Sequence, residues 1–284
     1  MRAKIKLVDT TLRDGEQAPG LAFTLETRLL LAAALDQAGF HQLEVGSPVM
    51  GQKEIEAVKR IKEVSATALI SVWNRVRIED VLASLEAQPD IIHLALPFTK
   101  GHLEKKVQKT FAAVAEDLAK CLDLAQSQGA AVSVGLEDVS RAKDAELDQT
   151  LELLGKLKVK RVRLSDTVGL LSPGRVTYLV KKVVAMGFSV EFHGHNDLGL
   201  AEANAYLAAL AGAVYLDTTL SGVGERAGNS SLSRFLTLAA LDLDSGVSLA
   251  AALELEKLAQ PFLEREGYIR ELAFSRAPAV EKFW

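Results

Sequence analysis

An alternation of short β-rich runs and amphipathic helices, repeated eight times along 284 residues, predicts an α/β chain folded as a (β/α)8 TIM barrel. Eight such units within about 240 residues is the count expected of that architecture. The first strand runs into Asp9-Thr10-Thr11-Leu12-Arg13-Asp14-Gly15-Glu16-Gln17, which is not the glycine-rich turn an open doubly wound sheet usually places there. Polar clusters recur at the carboxyl ends of five of the expected strands, the rim on which barrels carry their chemistry.

The elements follow from periodicity and punctuation. The apolar run Ile5-Lys6-Leu7-Val8 reads as the first strand, and 24–38 has helical spacing that ends at Gly39. The second strand is 42–45, closed by Gly46-Ser47-Pro48, with a helix over 52–64. A third strand is expected at 66–72 and its helix at 78–87; the fourth strand, 91–96, is closed by Pro97. One long helix is expected from 105 to 127, then a strand at 131–135, a helix at 145–157 and a strand at 159–164. Pro173 opens the sixth helix in the favoured first-turn position. The seventh strand is 189–193 with its helix at 200–211, the eighth strand is 214–218, and the last barrel helix starts near Asn229. The domain expectation is a catalytic barrel over 1–245 and a helical C-terminal extension over 246–284.

Composition narrows the classes. Hydrophobic content of 49% supplies a core, and a net charge of -4 with dispersed basic residues points to neither nucleic acid nor membrane as a partner. The single Cys121 rules out an intrachain disulfide and a multi-thiolate metal site. No stretch approaches about 18 uninterrupted apolar residues and the start lacks a signal-peptide core, so a soluble, cytoplasmic protein is expected.

The chemistry is expected at the rim. His193 and His195, two apart on a strand, point the same way, so both imidazoles can reach one ion. A carboxylate from Asp14 would complete a three-ligand set, and nitrogen and oxygen donors suit Mg2+, Mn2+ or Zn2+. The bland alternative is a pair of capping or core histidines. Arg13 is a candidate to polarise a carbonyl or stabilise an enolate; otherwise it is a salt-bridge partner of Glu16 or Asp14. Glu44 would orient that arginine or cap the following helix. Glu137 is a candidate acid or base, or a solvated carboxylate. Thr167 would bind a substrate carboxylate or bond local backbone. The loop from Gly222 and Gly224 to Asn229 could bring its amides to a phosphate-bearing cofactor, and Asn229 could equally be a helix N-cap. His41, His93 and His102 read as structural.

Together these residues resemble the metal-dependent acyl-CoA condensing and cleaving barrels, a family that includes 2-isopropylmalate, homocitrate and citramalate synthases and 3-hydroxy-3-methylglutaryl-CoA lyase. The resemblance rests on residues 9–17, on His-Gly-His-Asn-Asp-Leu-Gly-Leu-Ala at 193–201 and on Gly-Glu-Arg-Ala-Gly-Asn at 224–229, and covers about residues 3–240. Trp73-Asn74-Arg75, Gly135-Leu136-Glu137-Asp138 and Asp166-Thr167-Val168-Gly169 look most like the homocitrate synthases of nitrogen fixation. The family reading implies Asp14, His193 and His195 as metal ligands with Asn229 as a further one. It implies Arg13 against the ketone oxygen with Glu44 supporting it, Arg75 and Thr167 toward the oxo acid, and Glu137 beside the substrate. The reaction implied is a Claisen-type condensation of acetyl-CoA, as co-substrate, with a 2-oxo acid such as 2-oxoglutarate, giving homocitrate after thioester hydrolysis.

Three features frame the alternatives. The lyase resemblance would place a cysteine in 221–229, and there is none, which favours the synthases. Homocitrate synthases often have a small polar residue where Leu136 stands. The synthases also usually carry, after the barrel, a His-Glu-Ser-Gly-Ile-His type segment that supplies a histidine and a tyrosine to catalysis, often across a dimer. Here no histidine follows His195, and Tyr268 is the only tyrosine after Tyr215. The alternatives are therefore a lyase or aldolase of the same fold, or a catalytic subunit that needs a partner. A homodimer or partner-subunit complex is expected.

Overall fold

The computed structural model describes residues 2–265. Eight parallel strands close into a barrel in chain order: β1 (Lys6–Asp9), β2 (Gln42–Glu44), β3 (Leu69–Arg75), β4 (Ile91–Leu96), β5 (Ala131–Leu136), β6 (Arg161–Asp166), β7 (Ser189–Gly194) and β8 (Tyr215–Thr218), with β8 pairing back onto β1. The connecting helices are α1 (Leu25–Gln37), α2 (Gln52–Val64), α3 (Ile78–Ala87), α4 (Phe111–Ser127), α5 (Asp144–Lys156), α6 (Pro173–Ala185), α7 (Ala201–Leu210) and α8 (Leu232–Ala239). Beneath the barrel, Ala3–Lys4 and Leu243–Asp244 form a short parallel ladder, and α9 (Leu249–Arg265) follows it. Among the described residues no helix is long and apolar enough to cross a membrane.

Alternation along the strands divides the molecule into two environments. Outward-facing Leu43, Ile70, Val72, Ile92, Leu94, Val134, Val162 and Val190 join Leu31, Leu35, Val58, Ile61, Leu118, Leu151, Leu179 and Val183 of the helices in one apolar cluster. Gln42 and Glu44 of β2 bond Arg161 and Arg163 of β6. Those strands stand opposite one another in the ring, so these side chains cross the barrel interior. The helices start where their caps dictate: Thr24, Thr110 and Ser172 each accept from the backbone N–H three residues on. Gly39 ends the α1 connection at φ 93°, a conformation that costs glycine nothing.

Three boundaries differ from the sequence reading by three residues or more. The third strand spans Leu69–Arg75 rather than 66–72, because the N–H groups of Ala66, Thr67 and Ala68 are taken by the Asp36 carboxylate at 2.6–2.9 Å. The helix expected over 105–127 is broken: Leu103–Val107 is a π-helical turn, Gln108 turns left-handed at φ 53°, and Thr110 caps a new helix. The last barrel helix starts at Leu232, since Asn229 and Ser231 are still bridged to His195 and Thr219. Of the extension expected over 246–284, Leu249–Arg265 is helical, and 266–284, with Tyr268, lie outside the described residues.

α9 is tied to the barrel by more than packing. Ala252, Leu255 and Ala259 are buried. Between the last two, Glu256 accepts from the Ser221 N–H at 2.9 Å, the Ser233 N–H at 3.2 Å and the Ser233 hydroxyl at 2.8 Å. One carboxylate on an outer helix thus holds both flanks of the loop after β8.

Candidate active site

The carboxyl ends of β1, β7 and β8 bring Asp14, His193, His195 and Asn229 together. One ligand atom from each of Asp14, His193 and His195 lies within 4.8 Å of the others, and all three residues are buried. His193 Nε2 stands 3.3 Å from Asp14 Oδ2 and 3.3 Å from His195 Nε2. His193 Nδ1 lies 2.9 Å from Asp217 Oδ2, a carboxylate that takes the Nδ1 hydrogen, so Nε2 is the nitrogen turned toward the cluster. Asn229 is bridged to His195 through the backbone; its amide nitrogen donates to Val223 O, and its Oδ1 is buried without a partner, as is Asp14 Oδ2.

These groups fit a divalent cation. Two imidazole nitrogens in contact and two orphaned buried oxygens are costly as they stand and are satisfied together by one positive centre. In and around the barrel interior the buried carboxyls of Asp9, Asp14, Glu44, Glu191 and Asp217 stand beside the guanidiniums of Arg13, Arg161 and Arg163. Burial pushes Asp9 and Asp217 up to about 7. Burial works the same way on Asp14, but Arg13 and the two histidines outweigh it and hold that carboxyl well below its ordinary value. Burial presses His195 down to about 3, which keeps it neutral and able to act as a ligand. Burial also disfavours charge on His193, yet the facing carboxylates of Asp14 and Asp217 outweigh it and raise it to about 9. A cation at this point would take the place of that proton.

Beside the cluster, Arg13 is fixed on two sides. Its Nε donates to Glu44 Oε1 at 2.7 Å and its Nη1 to Asp14 Oδ1 at 2.7 Å. Glu44 is fully buried and is an orienting partner, not a helix cap. Glu16, the other partner considered for Arg13, accepts from the Phe23 N–H and lies near Arg28. The Arg13 guanidinium faces the Trp73 ring at 6.0 Å.

The remaining candidates spread around the mouth. Trp73, Arg75, Lys106 and Glu137 line a cavity of about 240 Å3. Arg75 is held in a two-pronged pair by Asp80, and Glu137 pairs with Lys106 at 2.9 Å. The Thr167 hydroxyl accepts from the Asp138 N–H at 2.9 Å, which keeps its own hydrogen available to donate. Gly222 and Gly224 are packed against the Asn229 segment. A Cβ on Gly224 would sit 2.1 Å from Asn229 Nδ2, and Gly222 has φ 73° with Asn229 O at 3.1 Å from its Cβ position. These glycines therefore have a packing reason to be glycine that involves no phosphate.

Sequence reasoning missed the interior. Arg161, Arg163, Glu191 and Asp217 lie inside expected strands among apolar neighbours, and a charge in such a run is the signal that could have marked them. His102, read from the sequence as structural, sits beside two carboxylates. His102 Nδ1 is 3.9 Å from Glu137 and Nε2 is 3.5 Å from Asp138, at the mouth.

Comparison with known proteins agrees with this geometry. The chain is 39% identical over 233 residues to the homocitrate synthase subunit alpha of Clostridium pasteurianum, covering 82% of this chain and 87% of that protein. It is 41% identical to the homocitrate synthase of Frankia alni, covering 86% of this chain and 71% of the relative. It is 38% identical to 2-isopropylmalate synthase 2 of Caldanaerobacter subterraneus subsp. tengcongensis, covering 80% and 60%. The HMG-CoA lyase structure from Bacillus subtilis superposes with a TM-score of 0.82 at 19% identity, over 97% of this chain and all of that one, a likeness of fold alone. The HMGL-like family model matches residues 4–259, and the chain belongs to the HMGL-like family.

Proposed function

We propose that this chain catalyses a metal-dependent Claisen-type condensation of acetyl-CoA with a 2-oxo acid, with 2-oxoglutarate as the substrate and homocitrate as the product. Identity of 36–41% to homocitrate and isopropylmalate synthases over most of the chain makes it an acyltransferase of the synthase type. The observation that carries the finer reading is the convergence of Asp14, His193 and His195 beside an arginine held on both sides.

Asp14, His193 and His195, with Asn229 alongside, would hold Mg2+, Mn2+ or Zn2+, which when bound would polarise the oxo-acid carbonyl. Arg13 presents unused guanidinium N–H groups to the ketone oxygen as it gains charge, and Glu44 and Asp14 keep that fork from turning away. Thr167 donates to the oxo-acid carboxylate, and Arg75 adds positive charge at the mouth. A methyl proton of acetyl-CoA passes to a base as the new carbon–carbon bond forms. Among the described residues we assign that role to Glu137, with His102 and Lys106 as its neighbours. Water then cleaves the thioester and frees CoA. We further read the protein as cytoplasmic and as a homodimer or partner-subunit complex.

One observation favours a second reading: the Clostridium pasteurianum relative is named a subunit. On that reading this chain binds metal and oxo acid but turns over only with a partner.

The test is CoA-thiol release from acetyl-CoA with Mg2+ or Mn2+, across 2-oxoglutarate, 2-oxoisovalerate, pyruvate and oxaloacetate. Release with 2-oxoglutarate alone supports the proposal, and release with another acid replaces the substrate. Silence with metal demonstrably bound moves the assignment to the partner-dependent subunit.

A further inference from the structure

We propose that Arg163 is a positioning residue that locks the metal-ligand histidine and the Arg13 guanidinium into a single arrangement, through one carboxylate on each side. The inference rests on the proposed metal site and carries it to a residue that touches neither metal nor substrate.

Arg163 rises from β6 into the barrel and is 2% exposed. Its Nη2 lies 2.6 Å from Glu44 Oε2, while the other oxygen of Glu44 receives Arg13. Its Nε lies 3.2 Å from Asp217 Oδ2, the same oxygen that receives His193 Nδ1. Two paths therefore leave one guanidinium: Arg163 to Glu44 to Arg13, and Arg163 to Asp217 to His193. The single Nε hydrogen goes to Glu191 Oε1, so Glu44 is held by a hydrogen bond from Nη2 and Asp217 by charge at 3.2 Å, and one rigid planar guanidinium fixes both approaches at once.

The fork is itself anchored from below. Glu191 Oε1 accepts from Arg163 at 2.8 Å, and Glu191 Oε2 accepts from Arg161. Arg161 in turn bonds Gln42 at 2.7 Å and stacks on the Tyr215 ring at 3.5 Å. These partners come from β2, β6, β7 and β8, so the orientation of Arg163 is fixed from its neighbouring strands and from the strand opposite it in the ring. Charge compensation alone would need a cation near these carboxylates. It would not need one planar group shared between the partner of Arg13 and the partner of His193.

That difference sets the test. Arg163→Lys keeps the charge but replaces the rigid planar fork with a point charge on a flexible stem, so the placement of Glu44 relative to Asp217 is no longer fixed. Mn2+ affinity is read by electron paramagnetic resonance without substrates, the folded fraction by circular dichroism, and kcat by CoA release. R163K is expected to weaken Mn2+ by about 10- to 100-fold, the usual loss when a ligand's supporting partner is removed, and to lower kcat by at least about 10-fold for the metal-saturated enzyme. The paths separate in single variants. Asp217→Asn is expected to weaken Mn2+ by about the same factor and to lower kcat at saturating metal less than Glu44→Gln does. Glu44→Gln is expected to lower kcat by about 10-fold or more with Mn2+ affinity within about 3-fold.

If folded R163K binds Mn2+ and turns over within 2-fold of the wild type on the scale of those losses, the positioning role is wrong. If R163K does not fold, the Asp217→Asn and Glu44→Gln pair decides, and equal effects of both variants on both readouts overturn the proposal. His193→Ala separates this failure from failure of the metal reading. Normal Mn2+ binding by H193A removes the site itself, whereas its loss in H193A with normal binding in R163K removes only the role of Arg163.

Discussion

Replacing Arg13 with lysine tests the proposed chemistry most directly. The arginine uses Nε on Glu44 and Nη1 on Asp14, both at 2.7 Å, and is only 10% exposed. A lysine ammonium keeps the charge but replaces the planar fork that reaches both carboxylates with a single centre, so we expect at least one buried charge-assisted bond to be lost. Such a bond is worth about 1.5–3 kcal/mol, or about 10- to 100-fold if it appears wholly in the barrier. A donor facing the developing oxyanion is worth about 100- to 1,000-fold. The two ranges meet near a 100-fold fall in kcat, which we expect for R13K. Mn2+ affinity should fall by no more than about 10-fold, since the three ligand side chains remain and only the partner of Asp14 changes, with its charge kept. The melting temperature should drop by roughly 4–8 °C for about 2 kcal/mol in a chain of this size. The assays are CoA release at saturating metal, Mn2+ titration and thermal unfolding. R13K that is folded, metal-loaded and within about 3-fold of the wild-type rate would refute a role for the guanidinium in the barrier.

Three further outcomes follow from the same geometry. His193→Ala and His195→Ala should each lower bound metal at least about 100-fold with near-normal far-ultraviolet circular dichroism; unchanged metal content by elemental analysis in both would dismiss the site. Gly224→Ala places a Cβ 2.1 Å from Asn229 Nδ2, so the loop must shift. A stability loss of about 1–3 kcal/mol should appear in urea unfolding together with weakened metal binding, and a neutral variant would mean that the loop yields freely. Burial opposes the charge on Asp36, but its bonds to Ala68, Ala66 and Thr67 prevail and lower its pKa. Its contribution is therefore complete above the unfolded value of about 3.9 and is lost as pH falls through the lower folded value. Asp36→Asn should cost about 1–3 kcal/mol at neutral pH and flatten the acid limb of the stability curve; an unchanged limb would show that other carboxylates control it.

The barrel and the rim cluster were legible in the sequence because both rest on local rules. Strand-to-helix alternation is written in periodicity, and His193 and His195 share a face by the two-residue repeat of a strand. What could not be read was anything decided between distant strands. Nothing near Glu44 says that its second oxygen will meet Arg163, 119 positions away and across the ring. The third strand starts late because the Asp36 carboxylate, more than 30 residues earlier in the chain, captures the backbone that would have paired. The long helix expected over 105–127 failed for a different reason. Its apolar spacing continues through Gln108, but the Thr110 cap outcompetes continuation, and periodicity alone carries no information about that contest.

Glu256 has a consequence for dissection of the molecule. A cut at residue 245, where the composition suggests a seam, would strand the backbone N–H groups of Ser221 and Ser233 that this outer-helix carboxylate receives. Those two serines flank the turn that carries Asn229, so the rim and the outer helix should open and close as one cooperative unit. In hydrogen exchange the amides of residues 221 and 233 should report the opening of α9 rather than that of the barrel. The seam visible in composition is therefore not a mechanical joint, and truncation there would be felt first at the catalytic mouth.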